Sequence, residues 1–290
     1  IELGVLYRGE RELCFLPLAH AYSCAFNFLV PMAVGAHVYL LGKVPSPKIL
    51  LKAFEEVKPN LILTVPLILE KIYKKMILPQ LSKTTMKVAL NIPLLDSRIY
   101  AQIRKKLVDA FGGRFREVIV GGAAMNEEVT NFLYKIKFPF TIGYGMTECG
   151  PLISYDHNDE YVPGSCGQIL KGIMKVRIDS EDPYNKVGEI QVSGENVMKG
   201  YYKNEEATSK VFTEDGWLRT GDLGTIDADN RIYIRGRSKT MILGASGQNI
   251  YPEEIESKLN NLPFVMESII IEKNGKLVGL VYPDYDTVDS

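Results

Sequence analysis

Between residues 12 and 140 two kinds of apolar pattern alternate, and this narrows the fold more than any other feature of the sequence. PKILLKAFEEV has helical period and leads into the short apolar run NLILTV. PLILEKIYKKM opens on proline, which suits a first helical turn because its missing N–H is unpaired there anyway. DSRIYAQIRKKLVDAF is amphipathic, offers Asp96 and Ser97 as caps and ends at a Gly-Gly pair. REVIVGG reads as a strand running into glycines, NEEVTNFLYKI as a helix opened by Asn126 and two acids, and FPFTIGYG as a strand again. Such alternation predicts an α/β fold, a mainly parallel sheet with flanking helices.

After about residue 160 the pattern changes. GSCGQIL, MKVRID, GEIQVSG, WLRTGDLGTID and RIYIRG are short strand-like runs separated by turn residues, with one short helix, NEEATSKVF, among them. They predict a small β-rich subdomain with barrel-like spacing. From residue 238 the chain reads as the start of an α+β domain. SKTMILGASGQNIY forms a hairpin, PEEIESKLNN a helix starting at proline, and ESIIIEKNGKLVGLVYP a hairpin turning at Asn-Gly.

Charge and cysteine content exclude several partners. The net charge of -1 comes from interspersed acids and bases, so no basic stripe offers itself to nucleic acid or an anionic membrane. None of the four cysteines forms a C-x-x-C pair, which argues against structural zinc and for a reducing, cytoplasmic setting. The run AYSCAFNFLVPMAVGAHVYLLG, residues 21–42, is interrupted by Asn27, Pro31, Gly35 and His37. It reads as a buried helix, a break near Pro31 and a buried strand AHVYLL rather than a membrane span, leaving at most peripheral membrane contact. The opening IELGVLYRGE lacks both a signal-peptide pattern and a start methionine, and reads as internal to a longer protein.

Two glycine-rich strand ends carry chemistry. VIVGGAAM and TIGYGMTECG each follow an expected parallel strand, and open α/β sheets bind ligands beyond the carboxyl ends of their strands. Gly121, Gly122 and Ala123 let a flat group lie against backbone, Tyr144 can stack on it, Thr147 offers a hydroxyl to phosphate and Glu148 a hard oxygen to Mg²⁺. Taken alone, GGAA is better explained by a tight strand-to-helix turn, and a strand end running into a loop explains GYGMTECGP. In DGWLRTGDLG, Asp222 is placed to accept from two ribose hydroxyls, or is a turn aspartate. In RGRSK, Arg237 offers a planar fork to a ribose or carboxylate, or belongs to a solvated basic turn. There is neither a Walker-type P-loop nor a G-x-G-x-x-G.

Five segments in order, PLAHAYS, GGAAM, GYGMTECGP, GWLRTGDLG and RGRSKTMILGASGQNIYPEEIE, resemble the adenylate-forming acyl-CoA synthetases, and most of all the long-chain fatty-acid CoA ligases. The resemblance spans essentially the whole chain. It implies an AMP-forming ligase that activates a fatty acid with ATP and Mg²⁺ and passes it to coenzyme A. Tyr144 would stack on adenine beside Gly121, Gly122 and Ala123, with Gly145, Met146 and Ile234 completing the nucleotide site. Thr147 would meet the α-phosphate, Glu148 the Mg²⁺, and Asp222 the ribose with help from Arg237. His20 and Tyr22 would lie near the carboxylate and acyl tunnel, although a hydrogen-bonded core histidine also explains His20. Lys239 matches the hinge between two domains. The implied division is 1–158, 159–237 and 238–290. The loop that wraps the β- and γ-phosphates would precede residue 1, and the late lysine of the adenylation step would follow Ser290. Loading of a carrier protein, activation of an aromatic acid and non-catalytic nucleotide binding are the alternatives.

Overall fold

The computed structural model describes residues 4–92, 95–243, 248–262 and 264–283. They fall into two compact units, 1–167 and 168–290.

The first unit is built on five parallel strands, β1 (Arg11–Cys14), β2 (His37–Leu40), β3 (Leu61–Thr64), β4 (Glu117–Val120) and β5 (Phe140–Ile142), in the order β2-β1-β3-β4-β5. Alternate residues serve opposite faces. Leu13, Ile62, Val118, Val120, Phe140 and Ile142 pack against Phe54, Leu107, Phe111 and Leu133 from the helices Pro47–Val57, Leu95–Ala110 and Glu127–Lys135 and the residues just beyond. Leu61, Leu63 and Ile119 turn to the other face, where Tyr22, Phe26 and Val34 cover them. Burial on both faces is why the middles of β3 and β4 are continuous apolar runs without polar alternation. Ser46 accepts from the Ile49 N–H, and Asn126 from the N–H groups of Glu128 and Val129. Such caps are each worth about 0.5–2 kcal/mol.

The 21–42 segment differs from its reading. Helical turns at Ala21–Ser23, a π-helical stretch Cys24–Leu29 and helix Val30–Val34 run on through Pro31 without a break. The wide π turn, in which the Val30 N–H reaches back to the Ala25 carbonyl, takes up the ring and the missing donor of Pro31. Only Ser23, Asn27 and Pro31 are buried along it, while Leu29 and Met32 are 55% and 62% exposed. The strand is likewise not buried: β2 is the edge of the sheet, and Leu40 is 64% exposed. Among the described residues no helix is long and apolar enough to cross a membrane. In Leu95–Ala110, Asp96 and Ser97 lie inside the first turn rather than capping it.

Beyond β5 a small hairpin pairs β6 (Tyr144–Gly145) with β7 (Leu152–Ser154). The second unit holds an open antiparallel sheet of β8 (Met174–Asp179), β9 (Gly188–Gly194), β10 (Leu218–Ile226) and β11 (Ile232–Arg237), in the order β11-β10-β9-β8. It does not close into a barrel, and from GSCGQIL only an isolated bridge, Gln168 to Arg231, joins it. The helix Glu205–Val211 is capped by Asn204. Next come the pair β12 (Ile242–Leu243) and β13 (Asn249–Ile250), the helix Pro252–Leu259, and the hairpin β14 (Val265–Lys273) and β15 (Lys276–Pro283). Residues 244–247, expected to turn the first of these hairpins, lie outside the described residues. The second turns at Asn274 and Gly275, both at positive φ, as a two-residue hairpin turn requires.

Candidate functional site

In the first unit the glycine-rich segments leave neighbouring strands on the same side. Val120 and Ile142 pair at the ends of β4 and β5. The ladder runs one residue further on each, with the Gly121 N–H donating to Thr64 at 3.1 Å and the Gly143 N–H to Val120 at 2.9 Å. Beyond it Gly122 takes φ +88°, and Gly122 and Ala123 are exposed backbone. The loop is pinned at its far end where the Asn126 N–H donates to Glu70 Oε1 at 2.9 Å.

Tyr22 reaches this loop from the helix on the second face. A Cβ on Gly121 would stand 3.2 Å from Tyr22 Cζ, and the Tyr22 hydroxyl donates to the Ile119 carbonyl at 3.2 Å. Burial, with the nearby Glu12 carboxylate adding to it, pushes the Tyr22 hydroxyl well above its ordinary pKa, so it stays a donor. His20 is exposed, and its Nδ1 accepts from the Tyr22 N–H at 3.2 Å, capping the helix. An accepting Nδ1 puts the proton of the neutral ring on Nε2. Tyr22 thus lies beside Gly121, and His20 stands at the start of the same helix.

GYGMTECGP folds as the β6–β7 hairpin. Thr147–Cys149 form a single 3₁₀ turn, and the Met146 N–H donates to Pro151 at 2.8 Å. Gly145 is required here, since a Cβ would fall 2.1 Å from the Pro151 carbonyl oxygen. The turn leaves Thr147 exposed and Glu148 half-buried at the tip. Tyr144 is 7% exposed and anchors the hairpin, opposite Ser154. Among the described residues no group of three or more His, Cys, Asp or Glu could hold a metal. Glu148 presents one half-buried carboxylate at this tip, and Mg²⁺ held on phosphates needs only one or two carboxylates from a protein.

In the second unit a register shift between Arg219 and Leu223 lifts Thr220, Gly221 and Asp222 out of the ladder with β9. Asp222 is buried, its N–H donating to Thr220 Oγ1, and it faces Arg237 across β10 and β11. Arg237 Nε stands 3.1 Å from Asp222 Oδ1, its side chain 71% exposed against 7% for the aspartate. Ile234 is half-buried opposite Gly224. Lys239 is exposed in the turn after β11, next to Thr240, whose hydroxyl donates to Glu253 Oε1 at 2.6 Å. An open concavity of about 790 Å³ on this unit, lined by Arg177, Asp179, Gln191, Glu214 and Arg219, includes none of the candidate site residues.

Sequence reasoning missed a buried polar chain beneath the 21–34 helix. Asn27 Nδ2 donates to Glu12 Oε1 at 2.5 Å and Ser23 Oγ to Asn27 Oδ1 at 3.0 Å, with all three residues buried. Glu12, an acid inside an apolar strand, was its one visible signal. A second set, Tyr155 donating to Glu117 at 2.6 Å beside His157, gathers at the opposite, amino end of β4.

A family model described as AMP-binding enzyme matches residues 3–202. Long-chain-fatty-acid–CoA ligase 1 of Saccharomyces cerevisiae is 28% identical, the match covering 95% of this chain and 43% of that protein. 4-Coumarate–CoA ligase CCL1 of Humulus lupulus is 31% identical over 95% of this chain and 46% of its own length. Among solved structures, O-succinylbenzoate coenzyme A synthetase (MenE) from Bacillus subtilis, in complex with ATP and magnesium ion, superimposes with a TM-score of 0.74 at 25% identity, over 98% of this chain and 53% of that one. The chain spans about half the length of the relatives it matches.

Proposed function

Since this chain belongs to the AMP-binding enzyme family, we propose that it is part of a longer AMP-forming ligase that activates a long-chain fatty acid as its acyl-adenylate and transfers it to coenzyme A. The observation that carries the reading is the junction at Gly121. Residues from the glycine-rich end of β4 and from the helix bearing His20 and Tyr22 meet there, beside the strand that leads into the Thr147–Glu148 turn. The relatives named as long-chain ligases favour the fatty acid. The cytoplasm is the proposed compartment.

In the first step a fatty carboxylate attacks the α-phosphate of ATP and pyrophosphate leaves. In the second the coenzyme A thiol displaces AMP. Both partners of the first step are anions, so alignment and charge cancellation supply most of the catalysis. The backbone of Gly121, Gly122 and Ala123 lets the adenine approach closely, with Tyr144, Gly145 and Met146 lining it, and Thr147 donates its hydroxyl to the α-phosphate. Glu148 would hold the Mg²⁺, which supplies positive charge to the phosphates. Asp222, oriented by Arg237, accepts from the ribose hydroxyls, and Ile234 adds an apolar contact. His20 and Tyr22 border the carboxylate, and Lys239 is the hinge.

The 4-coumarate–CoA ligase relative favours a second reading, an aromatic acid. A panel of acids separates the two in the longer protein. Long saturated and monounsaturated acids should outpace acetate and benzoate in releasing pyrophosphate, whereas equal or faster turnover of short or aromatic acids would establish the second reading.

A further inference from the structure

The polar chain under the 21–34 helix is unused by the proposed mechanism and is costly to bury. Glu12 lies on the face of β1 that this helix covers, and it is fully buried. Its Oε1 accepts from Asn27, while Oε2 has no hydrogen-bond partner. A buried carboxylate without a cation is among the most unfavourable groups a protein can hold, so such a group keeps its proton. Among the described residues no cation pairs with it. The titratable groups facing it are Cys14 on its own strand and Tyr22 on the covering helix, both raised themselves, chiefly by burial and, once Glu12 ionises, by its charge as well. The neighbouring strand β3 places Leu61 beside it, and beyond that Glu117 of β4 is occupied by Tyr155 and Asn158.

The chain continues from Glu12 towards the site. Asn27 passes the contact to Ser23, and Ser23 Oγ also lies 3.2 Å from the Leu16 carbonyl, in the loop that leads to His20. Ser23 directly follows Tyr22. One buried carboxyl therefore holds, through Asn27 and Ser23, the end of the segment that carries the two acid-side residues.

We propose that Glu12, as a neutral carboxyl, is the positioning residue for the His20–Tyr22 segment. Burial pushes its pKa up to about 8. A segment that opens to water lets the carboxyl ionise at its ordinary value, 4.5. Opening is therefore coupled to proton release. The tie is strongest in acid, weakens as pH rises through that window, and levels off once the closed form also ionises. The functional consequence, a pH-dependent KM for the acid substrate, rests on the reading of His20 and Tyr22 given above.

The test compares the purified chain with Glu12→Gln, which keeps the shape and the Asn27 contact but cannot ionise. Iodoacetamide alkylation of Cys14, mapped by mass spectrometry, reports opening, and the NMR ring signals of His20 and Tyr22 report position. The ratio of wild-type to Glu12→Gln alkylation should rise about tenfold per pH unit between weakly acidic and neutral solution, and the wild-type ring signals should move over the same range. A flat ratio with immobile rings overturns the proposal. If Glu12→Gln fails to fold, infrared difference spectroscopy on the wild type replaces it. A protonated-carboxyl band lost in alkali together with the movement of the Tyr22 signal supports the tie, and absence of that band overturns it. In the longer protein, KM for the acid should rise with pH in the wild type and stay level in Glu12→Gln at unchanged kcat. A local response without the KM effect would instead refute the placing of His20 and Tyr22 at the acid.

Discussion

The ring of Tyr22 lies against Gly121, close enough that a single methyl group on the glycine would stand 3.2 Å from Cζ. Gly121→Ala must push the ring aside by a few tenths of an ångström, and the Tyr22–Ile119 hydrogen bond stretches with it. Tyr22→Phe alone should cost about 0.5–1.5 kcal/mol, the net worth of one such bond. Gly121→Ala should weaken binding of the acid more than that of AMP. Combining it with Tyr22→Ala should recover part of the stability loss, because the collision is removed. Strictly additive unfolding free energies for the pair would show that the two residues do not press on each other.

Gly145→Ala tests the hairpin that presents Thr147 and Glu148. Its Cβ would fall 2.1 Å from a backbone oxygen, which no side-chain rotation can relieve. We expect a loss of about 2 kcal/mol or more, at the upper end for overpacking, with nucleotide binding lost along with the hairpin. Chemical denaturation reads the first and calorimetry the second; a variant as stable as wild type contradicts the geometry.

Asp222→Asn leaves the β10–β11 ladder in place but removes the charge that faces Arg237. If the carboxylate holds ribose hydroxyls, affinity for AMP should fall about 10–100-fold, the equivalent of about one hydrogen bond to a charged group. Arg237→Ala should have a smaller effect, because that side chain is largely in water. Unchanged AMP affinity in Asp222→Asn would make Asp222 a residue of the turn alone.

Much of the architecture was legible because it rests on periodicity. The helices at Pro47–Val57 and Glu127–Lys135, the buried strands β3 to β5 and the Asn274–Gly275 hairpin follow from apolar spacing and from turn residues whose φ they require. The 21–42 segment was misread for a physical reason. Proline breaks a regular helix, but a π turn gives it room, and apolar content does not distinguish an edge strand such as β2 from a buried one. Of the site, the motifs marked Gly121, Gly145, Thr147 and Asp222. The bond from Tyr22 to Ile119 joins residues 97 positions apart, and the tie from Glu12 to Asn27 needs a helix folded over a strand. Neither leaves a local pattern.

On the second unit, Asp215 receives a bidentate contact from Arg177 and a hydrogen bond from Thr213, which together hold its carboxyl well below the ordinary range. A depressed carboxylate stabilises the fold above its unfolded pKa and loses that contribution as pH falls through its folded one. Asp215→Asn should therefore lower the unfolding temperature slightly at neutral pH and not at all in strong acid, and the difference should shrink in high salt because the pair is exposed. Thermal unfolding across the acid range checks this; a difference that grows towards acid has the wrong sign.

The central claim is that Glu148 serves Mg²⁺-dependent formation of an acyl-adenylate, and it is tested most directly by acid-dependent pyrophosphate release from ATP in the longer protein, wild type against Glu148→Gln. The substitution keeps the side chain's shape at the tip of the β6–β7 hairpin and removes its charge. The account predicts release that requires both the fatty acid and Mg²⁺, and a fall of about a hundredfold or more in Glu148→Gln, the scale on which a single electrostatic contact to the reacting phosphates acts, with unfolding behaviour unchanged. Wild-type release by Glu148→Gln, or release that ignores the acid, would contradict it.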